Sequence, residues 1–244
     1  MEDVKTIHIG ETDSTNRFMH EYAGEEGRRM TFAVAEGQTA GRGQGTNTWE
    51  SETGKNLLFS VKTHPKGLRA TRQYAMLEAG ALAVCRALRH YAEGITVKWP
   101  NDVYWRDRKI SGTLSECSIQ KGMVGSCIIG TGINVNQTVF RSSAPNPVSL
   151  KQITGKDIDR EEVLRLFTKY FGDYLKRIDN GDYESLHAEY EASLYRRTGT
   201  FGFRDANGTF RASIEGVEPS GPIRLRKADG SVAEYAFKEV EFII

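Results

Sequence analysis

The sequence predicts an α+β body followed by a small all-β tail, with a boundary near residue 195. Up to that point, strand-like stretches alternate with amphipathic helical patterns. Beyond it, turn signals separate short segments of β character at Asn207-Gly208, Pro219-Ser220-Gly221 and Asp229-Gly230. We therefore assign residues 1–195 to one domain and residues 196–244 to a second domain, a small β-barrel or meander.

The composition argues against several classes of protein. Of the 244 residues, 39% are hydrophobic and 27% are charged, which is typical of a globular protein rather than of a disordered, collagenous or coiled-coil chain. A net charge of +1 predicts neither a nucleic-acid partner nor a membrane partner. The sequence has no secretion signal and no C-x-x-C pair among Cys85, Cys117 and Cys127, so we expect a soluble, cytoplasmic protein.

The strands and first helices of the body follow from apolar spacing. Strand candidates cover residues 4–9, 31–35, 57–62, 95–99, 110–119 and 123–135. Asp13-Ser14-Thr15 offers N-cap residues for a short helix through Tyr22, and residues 70–93 have the spacing of a long helix closed by Gly94. The turn Gln120-Lys121-Gly122 predicts that the last two strands form a hairpin.

The end of the body is predicted to be helical. Asp159 and Glu162 have the spacing of a capping box and open a helix with one apolar face. A further helix is predicted over residues 183–194, so that helices separate the strands of the body from those of the tail.

The first candidate site is the segment Gly37-Gln38-Thr39-Ala40-Gly41-Arg42-Gly43-Gln44-Gly45, followed by Trp49. Its glycines lack Cβ atoms, so backbone N–H groups can approach an anion closely. Arg42 can form charge-assisted bonds to a carboxylate or a phosphate. The segment is neither a Walker A motif nor G-x-G-x-x-G, and taken alone it is equally compatible with a flexible surface loop.

Two further candidate sites lie on predicted strands. Lys98-Trp99-Pro100-Asn101-Asp102 is followed by Arg108-Lys109-Ile110-Ser111-Gly112, in which Lys109 begins a strand. The Asn-Asp pair suits a turn and equally a Mg²⁺ site. Gly130-Thr131-Gly132-Ile133-Asn134 places glycines inside a strand, where they can mark the close approach of a ligand or a neighbouring backbone. Each motif alone is also compatible with a purely structural role.

The sequence lacks the motifs of several enzyme classes. Its five histidines have no metal-ligand spacing, and there is no G-x-S-x-G elbow and no recognisable cysteine nucleophile. The remaining chemistry is electrostatic: cations, backbone donors and a hard metal ion acting on anionic substrates.

A series of short motifs occurs in a fixed order along the body. They are Asp13-Ser14-Thr15-Asn16, Gln38-Thr39-Ala40-Gly41-Arg42-Gly43, Trp49, Lys98-Trp99-Pro100-Asn101-Asp102, Arg108-Lys109-Ile110-Ser111-Gly112 and Gly130-Thr131-Gly132-Ile133-Asn134. Each is weak alone, but in this order and with a β-rich tail they resemble the biotin protein ligase family, biotin–[biotin carboxyl carrier protein] ligase. The resemblance spans nearly the whole chain.

This resemblance implies a fold and a reaction. The fold is a mixed-sheet catalytic domain related to class II aminoacyl-tRNA synthetases, with an SH3-like C-terminal domain. Biotin and ATP form biotinyl-5′-AMP and pyrophosphate, and a lysine of a biotin carboxyl carrier protein, such as that of acetyl-CoA carboxylase, then receives the biotin. The implied ligands are biotin, ATP and Mg²⁺, with no tightly bound cofactor, and homodimerisation is left open.

The resemblance also implies roles for residues that match the family's motifs. Lys109 bridges the biotin carboxyl and the α-phosphate, Arg42 holds both groups, and Asp102 orients or deprotonates the carrier lysine and binds Mg²⁺. The implied biotin-binding residues are Ser14, Thr15, Gln38, Gly41, Arg42, Lys109, Gly112, Gly130, Gly132 and Ile133. The implied ATP-binding residues are Arg42, Gly43, Gln44, Trp49, Asn101, Asp102 and Asn134, with Trp49 as the adenine platform.

The glycine-rich loop departs from the family's bacterial pattern. That pattern, G-R-G-R-x-G-R, has arginines where this chain has Gln44 and Asn47. Because fewer cations then close over the intermediate, we predict that biotinyl-AMP leaks faster from this chain than from a Gln44→Arg variant. Promiscuous lysine biotinylation by the two proteins measures the leakage, and equal labelling would contradict the prediction.

A second departure and two alternatives bear on the class of protein. Only 13 residues precede Ser14, so we expect the ligase-only class without an N-terminal DNA-binding domain.

A lipoate or octanoate ligase or transferase of the same superfamily is an alternative function, although the Lys98–Asp102 motif and the loop match the biotin branch. A non-catalytic biotin-binding regulatory module is another, although it would need neither Lys109 nor Asp102.

Overall fold

The computed structural model describes residues 4–23, 28–43, 45, 47–141 and 146–244. Within these residues the chain forms a seven-stranded sheet, a five-stranded sheet and five α-helices, which confirms the predicted α+β class. The strands are β1 (Val4–Thr12), β2 (Met30–Gln38), β3 (Leu57–Thr63), β4 (Ile95–Lys98), β5 (Asp102–Trp105), β6 (Arg108–Gln120), β7 (Met123–Ile133), β8 (Phe201–Asp205), β9 (Gly208–Val217), β10 (Ile223–Lys227), β11 (Val232–Tyr235) and β12 (Glu241–Phe242). The α-helices are α1 (Thr15–Glu21), α2 (Tyr74–Leu88), α3 (Leu150–Thr154), α4 (Arg160–Asp179) and α5 (Tyr183–Ala192).

The seven-stranded sheet is mixed and has the order β1-β2-β3-β7-β6-β5-β4, with only β1 and β2 parallel among these neighbours. Because successive residues of a strand point to opposite faces, the two faces carry different side chains. On one face, Phe32 packs edge-on against Phe167 of α4 within the main apolar core. On the other face, Ile128 packs with Met19 of α1 in a smaller apolar cluster.

The helix predicted over residues 70–93 is shorter than expected at both ends. A 3₁₀ turn at Ala70–Arg72 precedes α2, and α2 ends at Leu88. The helix stops there because the chain tightens: the N–H of His90 donates to the carbonyl of Ala87, three residues back. The prediction was too long because apolar spacing continues into this tightened turn.

The predicted hairpin and the predicted start of the helix at Asp159 are confirmed, but the predicted capping box is not. The β6–β7 hairpin closes at Lys121 and Gly122, whose φ angles of +51° and +76° suit a two-residue hairpin turn. Asp159 is the N-cap of α4, but its side chain accepts from the N–H of Glu161 rather than forming a capping box with Glu162.

Two short elements were not predicted, and one strand ends early. Strand β5 and helix α3 contain four and five residues, too few for a periodic pattern. Asp102, interpreted as a turn residue, in fact begins β5. Strand β7 ends at Ile133 rather than at residue 135, because the N–H of Val135 leaves the ladder and donates to Asn56 Oδ1.

The five-stranded sheet is antiparallel, with the order β11-β10-β9-β8-β12, which confirms the all-β tail. Hydrogen bonds join it to the body. Trp99 Nε1 donates to the carbonyl of Gly221 at 2.8 Å. Nδ1 of His187, on α5, lies 2.6 Å from Glu78 Oε1 on α2, and Nε2 of the same ring donates to the carbonyl of Val217 on β9.

Within the described part of the chain, no helix has the length and apolar character needed to cross a membrane.

Candidate active site

A cavity of about 800 Å³ lies where strands β6 and β7 face α1 and the end of the five-stranded sheet. The structure places most of the predicted site residues on its walls. They are Ser14, Thr15, Gln38, Arg42, Gly43, Trp49, Asn101, Asp102, Lys109, Gly112, Gly130 and Gly132. Arg42 and Lys109, the two cations that the sequence singled out, therefore share one cavity.

Other predicted site residues are not on these walls. Ile133 points to the opposite face of β7 from the neighbouring glycine and is fully buried in the main core. Asn134 is buried just beyond the end of β7, where its backbone N–H and carbonyl are both hydrogen-bonded within the body. Gly41 is buried within the loop, and its carbonyl accepts from the N–H of Trp49. Gln44 lies outside the described residues.

Three glycines form the floor of the cavity. Gly130 and Gly132 alternate along β7, and Gly112 on β6 lies opposite Gly132 in the register. A Cβ on Gly130 would overlap Asn16 Oδ1, and a Cβ on Gly132 would overlap the indole ring of Trp49. The close approach predicted for these glycines is therefore made by two side chains, Asn16 and Trp49.

A buried polar network occupies the end of the cavity nearest α1. Gln38 Oε1 accepts from the N–H and the hydroxyl of Thr15, at 2.8 and 3.1 Å. Ser60 Oγ lies 2.7 Å from Thr15 Oγ1 and 2.5 Å from Asn16 Oδ1. Because Thr15, Asn16 and Ser60 are all buried, their hydrogen-bonding atoms are already oriented before a ligand binds. Ser60 was missed because it lies far from the motifs in sequence.

Lys109 and Arg42 both contact carboxylates. Lys109 Nζ lies 2.7 Å from Asp102 Oδ1, across the β5–β6 pair, and 5.8 Å from the centroid of the Trp49 ring. Arg42 NH1 lies 3.4 Å from Glu116 Oε1, a residue of β6 that sequence analysis did not single out. These pairs place two positive charges, each beside a carboxylate, on the walls of one cavity.

Glu116 has several partners besides Arg42. Its Oε2 accepts from Asn16 Nδ2 at 2.7 Å and lies 3.1 Å from His20 Nε2. Burial alone would raise the pKa of Glu116, but hydrogen bonds from Asn16 and His20, together with the charge of Arg42, outweigh it and lower the pKa. Glu116 therefore stays ionised and links the loop arginine to the buried network on α1.

The remaining wall comes from residues for which no binding or catalytic role was predicted. Lys98 Nζ lies 5.4 Å from the ring of Tyr104 and 5.1 Å from that of Phe242, and burial lowers its pKa. The tail contributes Phe237, Lys238, Val240, Glu241, Phe242 and Ile244. No local motif marks these tail residues, because only the packing of the two sheets brings them to the cavity.

Known proteins share this architecture. The chain matches the model of the biotin/lipoate A/B protein ligase family over residues 10–134. It is 31% identical over 229 residues to the bifunctional ligase/repressor BirA of Bacillus spizizenii, covering 89% of this chain and 68% of that protein. It is 29% identical over 241 residues to the biotin--[acetyl-CoA-carboxylase] ligase of Paracoccus denitrificans, covering 91% and 94% of the two chains.

A solved structure agrees in fold over nearly the full length. The biotin protein ligase of Aquifex aeolicus, in complex with biotin and ATP, superposes with a TM-score of 0.78 at 29% identity, covering 97% of each chain. The mixed seven-stranded sheet and the separate antiparallel sheet thus match a biotin ligase fold. The chain belongs to the biotin/lipoate A/B protein ligase family.

Proposed function

We propose that this chain is an ATP-dependent ligase that attaches biotin to a lysine of a biotin carboxyl carrier protein, through biotinyl-5′-AMP. The observation that carries the proposal is the meeting of Arg42 and Lys109 in one cavity with a preordered polar network and an aromatic platform. The names of the similar proteins, several of which are biotin ligases, support the same activity.

The first half-reaction joins two anions. A carboxylate oxygen of biotin attacks the α-phosphorus of ATP, the bond from that phosphorus to the bridging oxygen breaks, and pyrophosphate leaves with the electron pair. Lys109 and Arg42 offset the charge that accumulates on the carboxylate and phosphate oxygens. Ser14 on the cavity wall and the hydrogen-bonded pair Thr15 and Gln38 bind the polar ureido end of biotin, and its rings and chain lie in the cavity.

The second half-reaction transfers the acyl group. The neutral amine of the carrier lysine attacks the acyl carbon of biotinyl-AMP, an amide forms, AMP leaves, and the amine loses a proton. Asp102, at the cavity wall beside Lys109, is the carboxylate that orients this amine and accepts its proton. No covalent bond to the enzyme is required.

Mg²⁺ is proposed as the ion that accompanies ATP. The described residues contain no group of three or more His, Cys, Asp or Glu side chains able to hold a metal. Mg²⁺ is commonly bound by one or two carboxylates together with substrate phosphates, and Asp102 supplies one such carboxylate. The ion would neutralise phosphate charge there.

The organisation of the chain is proposed as follows. Residues 1–195 form the catalytic domain, of the class II aminoacyl-tRNA synthetase type, and residues 196–244 form an SH3-like domain. The mixed sheet and the five antiparallel strands support this division. Three free cysteines support a cytoplasmic location, and a second copy of the chain remains a candidate partner.

A direct experiment tests the activity. A biotin carboxyl carrier domain is incubated with the protein, biotin and MgATP, and its mass is then measured by mass spectrometry. We expect a gain of one biotin on one lysine, and no gain when ATP is omitted or when that lysine is replaced by arginine. An unmodified carrier domain would refute the proposal.

Lipoate and regulatory alternatives give different outcomes. In a thermal-shift assay, a ligand at about 100 times its Kd stabilises the folded state by about 2.7 kcal/mol. We expect this shift with biotin and none with lipoate. A regulatory module would bind biotin without releasing pyrophosphate from ATP, so a pyrophosphate assay separates it from a ligase.

Replacing Trp49 by alanine should weaken the binding of ATP more than the binding of biotin. The ring lies against the glycine floor, and its Nε1 is buried without a hydrogen-bond partner among the described residues. Base–aromatic stacking contributes about 1–3 kcal/mol, so the KM for ATP should rise about 5- to 150-fold. Trp105→Ala, outside the cavity, is the control. A larger rise in the KM for biotin would remove the adenine assignment.

A further inference from the structure

Lys238 borders the cavity from the five-stranded sheet, in the connection between β11 and β12. Its φ of +71° lies in the left-handed region that residues with a Cβ rarely adopt. Its side chain reaches the glycine-rich loop so closely that a Cβ on Gly45 would overlap Nζ. The ammonium group also lies 5.9 Å from the ring centroid of Phe237. A lysine is thus kept in a conformation that suits glycine, with its charge at the mouth of the cavity.

The charges around the cavity distinguish Lys238 from the other cations. Arg42 and Lys109 each have a carboxylate within 4 Å, and Lys98 lies between aromatic rings. Among the described residues, no carboxylate lies within 4 Å of the Lys238 ammonium group, and the residue is exposed. It can therefore receive an anion without first giving up an ion pair.

We propose that Lys238 binds the β- and γ-phosphates of ATP and the departing pyrophosphate, an inference that rests on the proposed function. Lys109 and Asp102 lie at the glycine floor, where the α-phosphate must meet the biotin carboxylate. Lys238 enters from the other sheet, beside the glycine-rich loop, where the rest of the triphosphate can extend. When the bond between the α-phosphorus and the bridging oxygen breaks, pyrophosphate keeps the electron pair, and a cation beside it offsets the added charge.

Glycine substitution tests the proposal because it removes the charge and relieves the unusual φ at the same time. The matched control is Lys121→Gly: Lys121 is also exposed and has a φ of +51°, but it lies in the β6–β7 hairpin, away from the cavity. The probes are α,β-methylene-ATP, which cannot be cleaved at the α-phosphorus, and AMP. Affinity is measured by calorimetry in the presence of biotin.

We expect Lys238→Gly to bind α,β-methylene-ATP about tenfold more weakly than the Lys121→Gly control, with unchanged affinity for AMP. Lys238→Arg should retain most of the affinity. The Lys238→Gly variant should transfer biotin from preformed biotinyl-AMP to the carrier domain at the wild-type rate, because that intermediate lacks the β- and γ-phosphates.

Two results would overturn the inference: equal affinity of both glycine variants for α,β-methylene-ATP, or an equal loss for AMP. Failure of the proposed function has a different signature. A wild-type protein that releases no pyrophosphate from ATP and biotin would refute the ligase activity, whereas the two affinities are measured independently of turnover.

Discussion

Replacing Lys109 by alanine is expected to lower biotin-dependent pyrophosphate release about 100- to 1,000-fold, the usual loss for a donor that stabilises transition-state charge. The structure adds a second reason. Lys109 Nζ lies 2.7 Å from Asp102 Oδ1, so its removal leaves an unpaired carboxylate charge at the proposed meeting point of the biotin carboxylate and the α-phosphate. The variant thus loses an attractive charge and exposes a repulsive one.

Lys109→Met is the matched variant, because methionine retains much of the length of the side chain and removes only its charge. Both variants should keep the wild-type thermal stability, since the Lys109 side chain is partly exposed and outside the apolar core. Pyrophosphate release near the wild-type rate in either variant would refute the role of Lys109. A loss confined to transfer from preformed biotinyl-AMP would assign Lys109 to the second half-reaction instead.

Replacing Gly130 by alanine is expected to raise the Kd for biotin about 10- to 100-fold. The new Cβ would overlap Asn16 Oδ1, so the Asn16 side chain would have to move away from both Ser60 and Glu116. Buried polar atoms then lose their partners, at about 1–3 kcal/mol each, and the methyl group fills part of the cavity floor. Isothermal calorimetry with biotin measures the change.

Gly125→Ala provides the control on the same strand. A Cβ on Gly125 would have no neighbour closer than 3.4 Å, and this glycine does not line the cavity. Its biotin affinity should therefore equal that of the wild-type protein. If Gly130→Ala also binds biotin with wild-type affinity, the network around Asn16 does not form the biotin site.

Much of the fold follows from local patterns. Helix α4 was predictable because an N-cap at Asp159 precedes a long stretch of amphipathic spacing. The β6–β7 hairpin was predictable because a glycine turn separates two strand patterns. By contrast, β5 and α3 are too short for periodicity, and the tightened turn after Leu88 kept an apolar pattern beyond the true end of α2.

The site residues also fall into those that the sequence could predict and those that it could not. Its motif residues could be predicted because each short motif lies on one loop or strand end that faces the cavity. The sequence could not predict Glu116, Ser60 and Lys238, because their contacts join residues that are far apart in sequence or lie in different sheets. Ile133 was wrongly predicted to line the site: it follows the cavity glycines in sequence, but side chains alternate along the strand and that of Ile133 points into the core.

The contact of His187 with Glu78 and Val217 has a consequence for how such chains can vary. Glu78 is 2% exposed, and His187, which is itself bonded to the carbonyl of Val217 on the five-stranded sheet, lies 2.6 Å from its carboxyl group. A homologue that lost or exchanged this sheet would keep the contact between His187 and Glu78, since both residues lie on helices of the body, but His187 Nε2 would lose its carbonyl acceptor. Inheritance of the sheet and of a histidine at position 187 should therefore be coupled.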